Sequence, residues 1–245
     1  MKTLKLSIVA FLFSISSTSS FAQNADEIIS KYIKTIGGAE KLKALKGIKM
    51  EMSVNAQGME IPVELVQLPA GKMYVKINLQ GKEMTQMASD GNTMWSTNFM
   101  TMKAEKADAE TTENAKLCNQ DFPDALLEYK SKGYAAEYVG KETKEGTECF
   151  KVKFTKKPIK VDGVQTEDVT YYFFDTENNL AIATETEIQQ GPMKGQKSVS
   201  TMSDYQEVDG IYFPFSMNQG GQDMKVTKIS FNPVVDDKAF VFPAE

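Results

Sequence analysis

IKMEMSVNAQGMEIPVELVQLPAGKMYVKINL, residues Ile48 to Leu79, is the stretch whose reading decides the fold. Ile48, Met50, Met52, Val54 and Ala56 alternate with Lys49, Glu51, Ser53 and Asn55. After Gln57-Gly58 the alternation resumes with Met59, Ile61, Val63 and Leu65, and after Pro69-Ala70-Gly71 with Met73, Val75, Ile77 and Leu79. A period of two sends every apolar side chain to one side of a strand, so three antiparallel strands with one greasy face are expected. Such a face needs cover from a second layer, from helices or from a ligand that is not protein.

Upstream, Lys2 and Lys5 precede the apolar run Leu6 to Ile15, and Ser20-Phe21-Ala22 follows as a small-x-small cleavage signal. This has the form of a cleavable secretory signal over residues 1–22, with no cysteine at the cleavage point to carry a lipid. Residues 23–245 then read as a single exported, periplasmic domain. Next comes a helix capped at Asn24 or Asp26, with Ile28, Ile29, Tyr32, Ile33 and Ile36 on one stripe and Gly37-Gly38 as its stop. A short helix from Ala39 to Lys46 offers Leu42 and Leu45. This pair is the candidate cover for the sheet.

Beyond Leu79 a fourth strand is expected around Met84 and Met87, and Ser89-Asp90-Gly91 turns into a fifth with Met94 and Trp95. Residues 104–120 lose the strand period and read as helix, and a further helix carrying Leu126, Leu127 and Tyr129 is expected after Asp124. Strands return over 134–140, 147–155, 167–174, 180–189, 198–208, 211–218 and 223–231, with a loop marked by Pro158. The total is roughly eleven or twelve strands in a meander, with a few helices.

Composition removes much chemistry. The chain has no histidine, and all 28 of its basic residues are lysine. Without histidine there is no serine- or cysteine-type triad and no histidine-bearing zinc site. Without arginine there is no bidentate clamp for phosphate or carboxylate. Residues 1–22 hold two lysines and no acid, which leaves 26 lysines against 33 acids and a charge of −7. That balance disfavours nucleic acid as a partner. No cofactor, metal site or catalytic residue emerges.

Cys118 and Cys149 could pair in an oxidising compartment, worth about 3–4 kcal/mol for a loop of that length. Against this, Cys149 points away from the apolar face set by Phe150, Val152 and Phe154. The lysines from Lys141 to Lys160 are interleaved with glutamates and read as a solvated outer face. Asp121/Asp124, Glu185/Glu187 and Asp236/Asp237 read as caps and turns rather than as a calcium site or a glycosidase pair. The methionines crowd the first half, where an unbranched, polarizable side chain can fill core gaps or mould a cavity around variable apolar ligands. Tyr171 to Phe174 is a run of four aromatics that calls for cover on both faces of its strand.

In order, these motifs resemble exported outer-membrane lipoprotein-sorting proteins of the LolA/LolB-like superfamily, in a divergent branch. The residues that carry the resemblance are Thr35-Ile36-Gly37-Gly38-Ala39-Glu40-Lys41-Leu42, Ser89-Asp90-Gly91 to Trp95, Val208-Asp209-Gly210-Ile211-Tyr212-Phe213-Pro214, Phe231-Asn232-Pro233, and Asp236-Asp237 through Phe240-Val241-Phe242-Pro243. It spans essentially the whole of residues 23–245.

The resemblance implies a mainly β (α+β) fold, a strongly curved antiparallel sheet forming an unclosed half-barrel with helices covering its concave face. It also implies a non-enzymatic carrier that shelters the acyl chains of lipoproteins, with envelope proteins as further partners. The chain departs from the family in one respect: the arginine that holds the lid shut in the family's carriers has no counterpart here. The inward positions expected to meet lipid are Met50, Met52, Val54, Met59, Ile61, Val63, Val75, Ile77, Trp95, Phe213 and Phe215. The alternative is the same fold used as an envelope sensor or interaction module, its space filled by its own side chains. A carboxylate-dependent hydrolase is a third and weaker reading.

Overall fold

The computed structural model of the protein describes residues 18–56 and 58–243. The deciding stretch folds as its alternation requires. β1 (Ile48–Ala56), β2 (Met59–Gln67) and β3 (Lys72–Leu79) are antiparallel neighbours. Met52 stands opposite Val63, and Val63 opposite Ile77; Met50, Leu65 and Val75 make the adjacent row. β4 (Lys82–Asp90) and β5 (Met94–Asn98) follow as expected, and β6 (Lys103–Lys106) forms the sheet edge. β6 was not expected, because three of its four residues lie in the stretch read as helical. The helix there is α3 (Ala109–Cys118).

The second half supplies β7 (Ala135–Lys144) and β8 (Thr147–Thr155). The loop expected at Pro158 is instead a separate small hairpin, β9 (Ile159–Val161) with β10 (Val164–Thr166). β11 (Val169–Asp175), β12 (Ala181–Glu187), β13 (Lys197–Val208), β14 (Ile211–Gln219) and β15 (Gln222–Phe231) complete the chain. β15 pairs with β1, which joins the two halves into one 13-stranded antiparallel sheet running from β6 to β7 in the order 6-5-4-3-2-1-15-14-13-12-11-8-7. The two edge strands do not pair, so the sheet is an open half-barrel and not a closed one.

The helices lie on the concave face. α1 (Thr18–Thr35) extends N-terminal to both Asn24 and Asp26, so neither caps it. Asp26 is occupied elsewhere, accepting hydrogen bonds from the Tyr129 hydroxyl and the Lys130 ammonium. The expected signal covers residues 1–22, of which 1–17 lie outside the described residues. At its other end α1 stops as predicted. Gly38 N–H donates to Ile33 O at 2.9 Å and Gly37 N–H to Lys34 O at 3.3 Å, with both glycines at positive φ, which is the Schellman arrangement. α2 (Ala39–Lys43) is one turn that buries Leu42.

The segment after Asp124 is not the helix its apolar spacing suggested. It winds as successive turns, with Leu127 N–H on Asp124 O, Ser131 on Glu128 and Lys132 on Tyr129, and Glu128 sits at φ +52. A left-handed residue cannot lie within a right-handed helix, so the turns fail to merge. Leu126, Leu127 and Tyr129 are nevertheless buried, against Ile28, Ile29 and Ile33 of α1 and Phe154 and Phe174 of the sheet. Each such large apolar side chain contributes about 1.5–3 kcal/mol by leaving water.

Two motif pairs fix where this cover lands. The α1 terminus abuts the β13–β14 turn: Tyr212 N–H donates to Ile36 O at 2.9 Å and Lys41 Nζ to Gly210 O at 3.1 Å. A Cβ on Gly37 would stand 2.7 Å from Gly210 O, so only glycine allows this approach. At the entry to β1, Asn232 N–H donates to Gly47 O at 2.8 Å and its side-chain oxygen accepts from Lys46 N–H at 2.7 Å. The stretches that carried the family resemblance are thus contacts that assemble the fold.

Candidate functional site

The cover is unequal. Over β8, β11 and β12 the concave face is sealed: Phe154 and Phe174 are fully buried, and Tyr32 of α1 packs on Phe174 with ring centroids 5.3 Å apart. Over β1, β2 and β3 the helices reach only Ile48, Met52 and their immediate neighbours. Beyond these the same face borders a cavity of about 540 Å³, within the size range of small-molecule and lipid sites.

Six of the residues expected to meet lipid line this cavity: Met52, Val54, Ile61, Val63, Val75 and Ile77. The others do not. Met50 is packed into the core, as are Phe213 and Phe215, with Phe213 against Phe231 at 5.7 Å between centroids. Met59 shares the inward parity but ends its strand and is 58 % exposed. Trp95 is on the opposite face. It pairs with Ala88, which pairs with Tyr74, and all three join Val66 beneath Phe240, whose carbonyl accepts from Trp95 Nε1 at 3.1 Å. A five-residue strand has too little alternation to declare its inner face, so its register with β4 settles the matter.

The remaining lining residues are Ala56, Leu65, Leu79, Gln86, Phe99, Gln219, Gln222 and Met224. Ala56, Leu65 and Leu79 continue the alternation already read, and Met224 stands opposite Val54 across the β1–β15 pairing. Gln86 enters through a bulge: Val75 pairs with Met87 and Lys76 with Thr85, which leaves Gln86 as the extra residue. Gln219 and Gln222 flank the Gly220-Gly221 turn. Phe99, in the β5–β6 turn, had no signal in the sequence. Met100 and Met102 follow it and are exposed at 95 % and 49 %.

Without arginine, the cover is held by other groups. Asp26 of α1 takes Tyr129 and Lys130, Tyr32 donates to Asp124 Oδ2 at 3.0 Å, and Lys43 of α2 pairs with Glu128 at 2.6 Å. All three join a helix to the 124–130 turns. Burial raises the Asp26 carboxyl, but the Lys130 and Tyr129 hydrogen bonds outweigh it and hold the group below its ordinary value. Asp124 goes the other way: burial pushes it up, and the Leu126 N–H and Tyr32 hydroxyl compensate only in part.

The Cys118–Cys149 bridge is not formed; both thiols are free. Cys149 is buried on the outer face beside Phe173 and Ala183, whereas Cys118 Sγ, at the end of α3, lies 3.9 Å from Lys156 Nζ. The two sit in separate packing environments. The aromatic run divides as predicted. Tyr172 and Phe174 face the core, while Tyr171 and Phe173 turn outward under the Lys151 ammonium at 4.9 and 5.3 Å. Lys144, Lys151 and Lys156 are paired with Glu142, Glu185, Asp121 and Asp168, as expected of an outer face. Among the described residues no three acidic or thiol groups converge as a metal site would require.

No family model matches the sequence, and no curated protein matches it. Solved structures do share the architecture. A DUF1329 family protein from Desulfovibrio piger superimposes with a TM-score of 0.54 at 13 % identity, over 90 % of this chain and 97 % of that one. A LolA superfamily protein from Nitrosomonas europaea gives 0.54 at 12 % identity, over the same shares. An outer membrane lipoprotein-sorting protein domain from Vibrio parahaemolyticus gives 0.50 at 12 % identity, over 89 % and 97 %. Carried on a 13-stranded sheet left open at both edges and lidded by α1, α2 and the 124–130 turns, the fold of this chain is LolA-like.

Proposed function

We propose that this protein is exported to the periplasm, where it shelters acyl chains and serves lipoprotein sorting or transport to the outer membrane without catalysing a reaction. The observation that carries this is the unsealed half of the concave face. Val54, Ile61, Val63, Val75 and Ile77 border about 540 Å³ of open space although the same chain seals the other half completely. Soluble proteins rarely leave a contiguous apolar surface without a use for it. Each methylene moved from water to this wall gains about 0.8 kcal/mol, so a partly buried chain binds firmly and still exchanges. Two methionines in the wall, Met52 and Met224, let it adapt to chains of different length. The signal-like pattern of residues 1–22, Lys2 and Lys5 before the apolar run Leu6 to Ile15, supports export, and the LolA-like fold agrees with the role.

The test is native mass spectrometry of protein purified from periplasm, alongside binding of an environment-sensitive fluorescent acyl probe. Copurified lipid is expected, together with loss of probe binding in Val63→Trp, which fills the wall. Absence of both lipid and probe binding in the wild type overturns the proposal in favour of an interaction module.

A further inference from the structure

The methionines around the cavity fall into two groups. Met52 and Met224, in its wall, are buried or partly buried, whereas Met59, Met100 and Met102 are exposed. In an antiparallel meander alternate turns share one end of the sheet, so the β1–β2, β3–β4 and β5–β6 turns lie together. Ala56, Leu79 and Phe99, at or beside those turns, all line the cavity, which places its mouth there. Met59 pairs across the first turn with Ala56, and Met100 and Met102 follow Phe99 in the third. Among the described residues, every exposed methionine but one thus stands at the mouth. The exception is Met193, 53 % exposed in the β12–β13 loop, no residue of which lines the cavity.

From this we infer that Met59, Met100 and Met102 form an oxidant-sensitive rim, where a peroxide makes methionine sulfoxide and thereby weakens the binding of an apolar chain. The inference rests on the reading of the cavity as an acyl site and adds a modification that regulates it. The thioether sulfur attacks one oxygen of hydrogen peroxide; the S–O bond forms and the O–O bond breaks. The departing hydroxide takes the proton from the new S–OH group and leaves as water. Sulfur gives up the electron pair that reduces the peroxide, so the step needs only an accessible sulfur and the oxidant. A flexible apolar side chain becomes a polar one. Stripping water from its oxygen is unfavourable wherever an acyl chain packs past it. The wall methionines are shielded by burial, so the cavity keeps its shape and reduction of the rim restores it.

The test treats the whole exported protein with a limited dose of hydrogen peroxide. Peptide mass spectrometry reads each methionine, and an environment-sensitive fluorescent fatty-acid probe reads affinity before and after. Met59, Met100, Met102 and Met193 are expected to gain an oxygen well before Met52 and Met224. Probe affinity is expected to fall at least about fivefold, equivalent to ~1 kcal/mol. It should return when methionine sulfoxide reductases for both epimers, with a dithiol, remove the oxygen. Met193→Leu is expected to lose affinity on oxidation as the wild type does. The triple variant Met59→Leu, Met100→Leu, Met102→Leu keeps Met193 and the exposed Cys118, and its affinity is expected not to fall on oxidation. A fall in the triple variant equal to that of the wild type overturns the inference. So does a fully oxidised rim with unchanged affinity, or oxidation of Met52 and Met224 ahead of the rim; each leaves the acyl-site reading standing. A probe that does not bind before oxidation overturns the inference and that reading together.

Discussion

On the β8–β12 side of the concave face, Val152, Phe154 and Phe174 are wholly covered by Tyr32, Tyr129 and the isoleucines of α1. On the β1–β3 side, Val54, Ile61 and Val75 border open space. Both sides are made of strands with the same alternation, so their strand chemistry does not distinguish them. The difference comes from where a short cover can reach. α1 is fixed at its C-terminus by the Gly37–Gly210 approach and along its length by Asp26 and Tyr32, and these anchors hold it over the second half. A lid held by polar contacts to one segment can seal one half and leave the other as a site.

That contrast can be broken most sharply in the sealed half. Phe174→Ala should cost about 3–5 kcal/mol, because the cavity it leaves has no route to water. Ile61→Ala, on the open side, should cost less, about 1–2 kcal/mol, since the residue is already partly exposed and borders the cavity. Denaturant titration of the two variants measures the gap, and equal costs would mean that the two halves are packed alike.

Next in size is the lid contact Tyr32→Phe. It removes the hydroxyl from a partly buried Asp124 and should cost about 1–2 kcal/mol of stability. If the cover depends on this bond, acyl-probe exchange should also speed up. An unchanged exchange rate would assign Tyr32 to packing alone.

The smallest effect concerns pH. The folded Asp26 carboxyl lies below its unfolded value, so its stabilisation is complete above the ordinary carboxylate range near pH 4. It is lost as pH falls through the depressed folded value. Asp26→Asn should therefore flatten the acid limb of the stability–pH curve, by at most about 1 kcal/mol because the partners are partly exposed and screened. A steeper limb in the variant would contradict the assignment. Asp124, held high by burial, has the opposite sign: its cost at neutral pH disappears as pH falls through its raised value.

Local pattern made much of this legible before any coordinates. The strands β1 to β3, the glycine stop of α1, the two-faced aromatic strand β11 and six cavity residues all follow from alternation or turn chemistry. Trp95 was misplaced because β5 is too short to show its parity. The helix expected after Asp124 failed because apolar spacing does not register the left-handed Glu128 that breaks it. Gln86 was invisible because a bulge arises from the mismatch of two strands and not from either one alone.

The sequence by itself determined the one-sided sheet, the apolar stripe of α1 and the absence of histidine and arginine chemistry, since each is a property of neighbouring residues or of composition. Only the tertiary structure decided which half of that sheet would be sealed. That depends on contacts between residues far apart in the chain, such as Asp26 with Tyr129 and Ile36 with Tyr212, and no local period encodes them. Ile48 to Leu79 specifies a greasy face; the reach of the lid leaves part of it open.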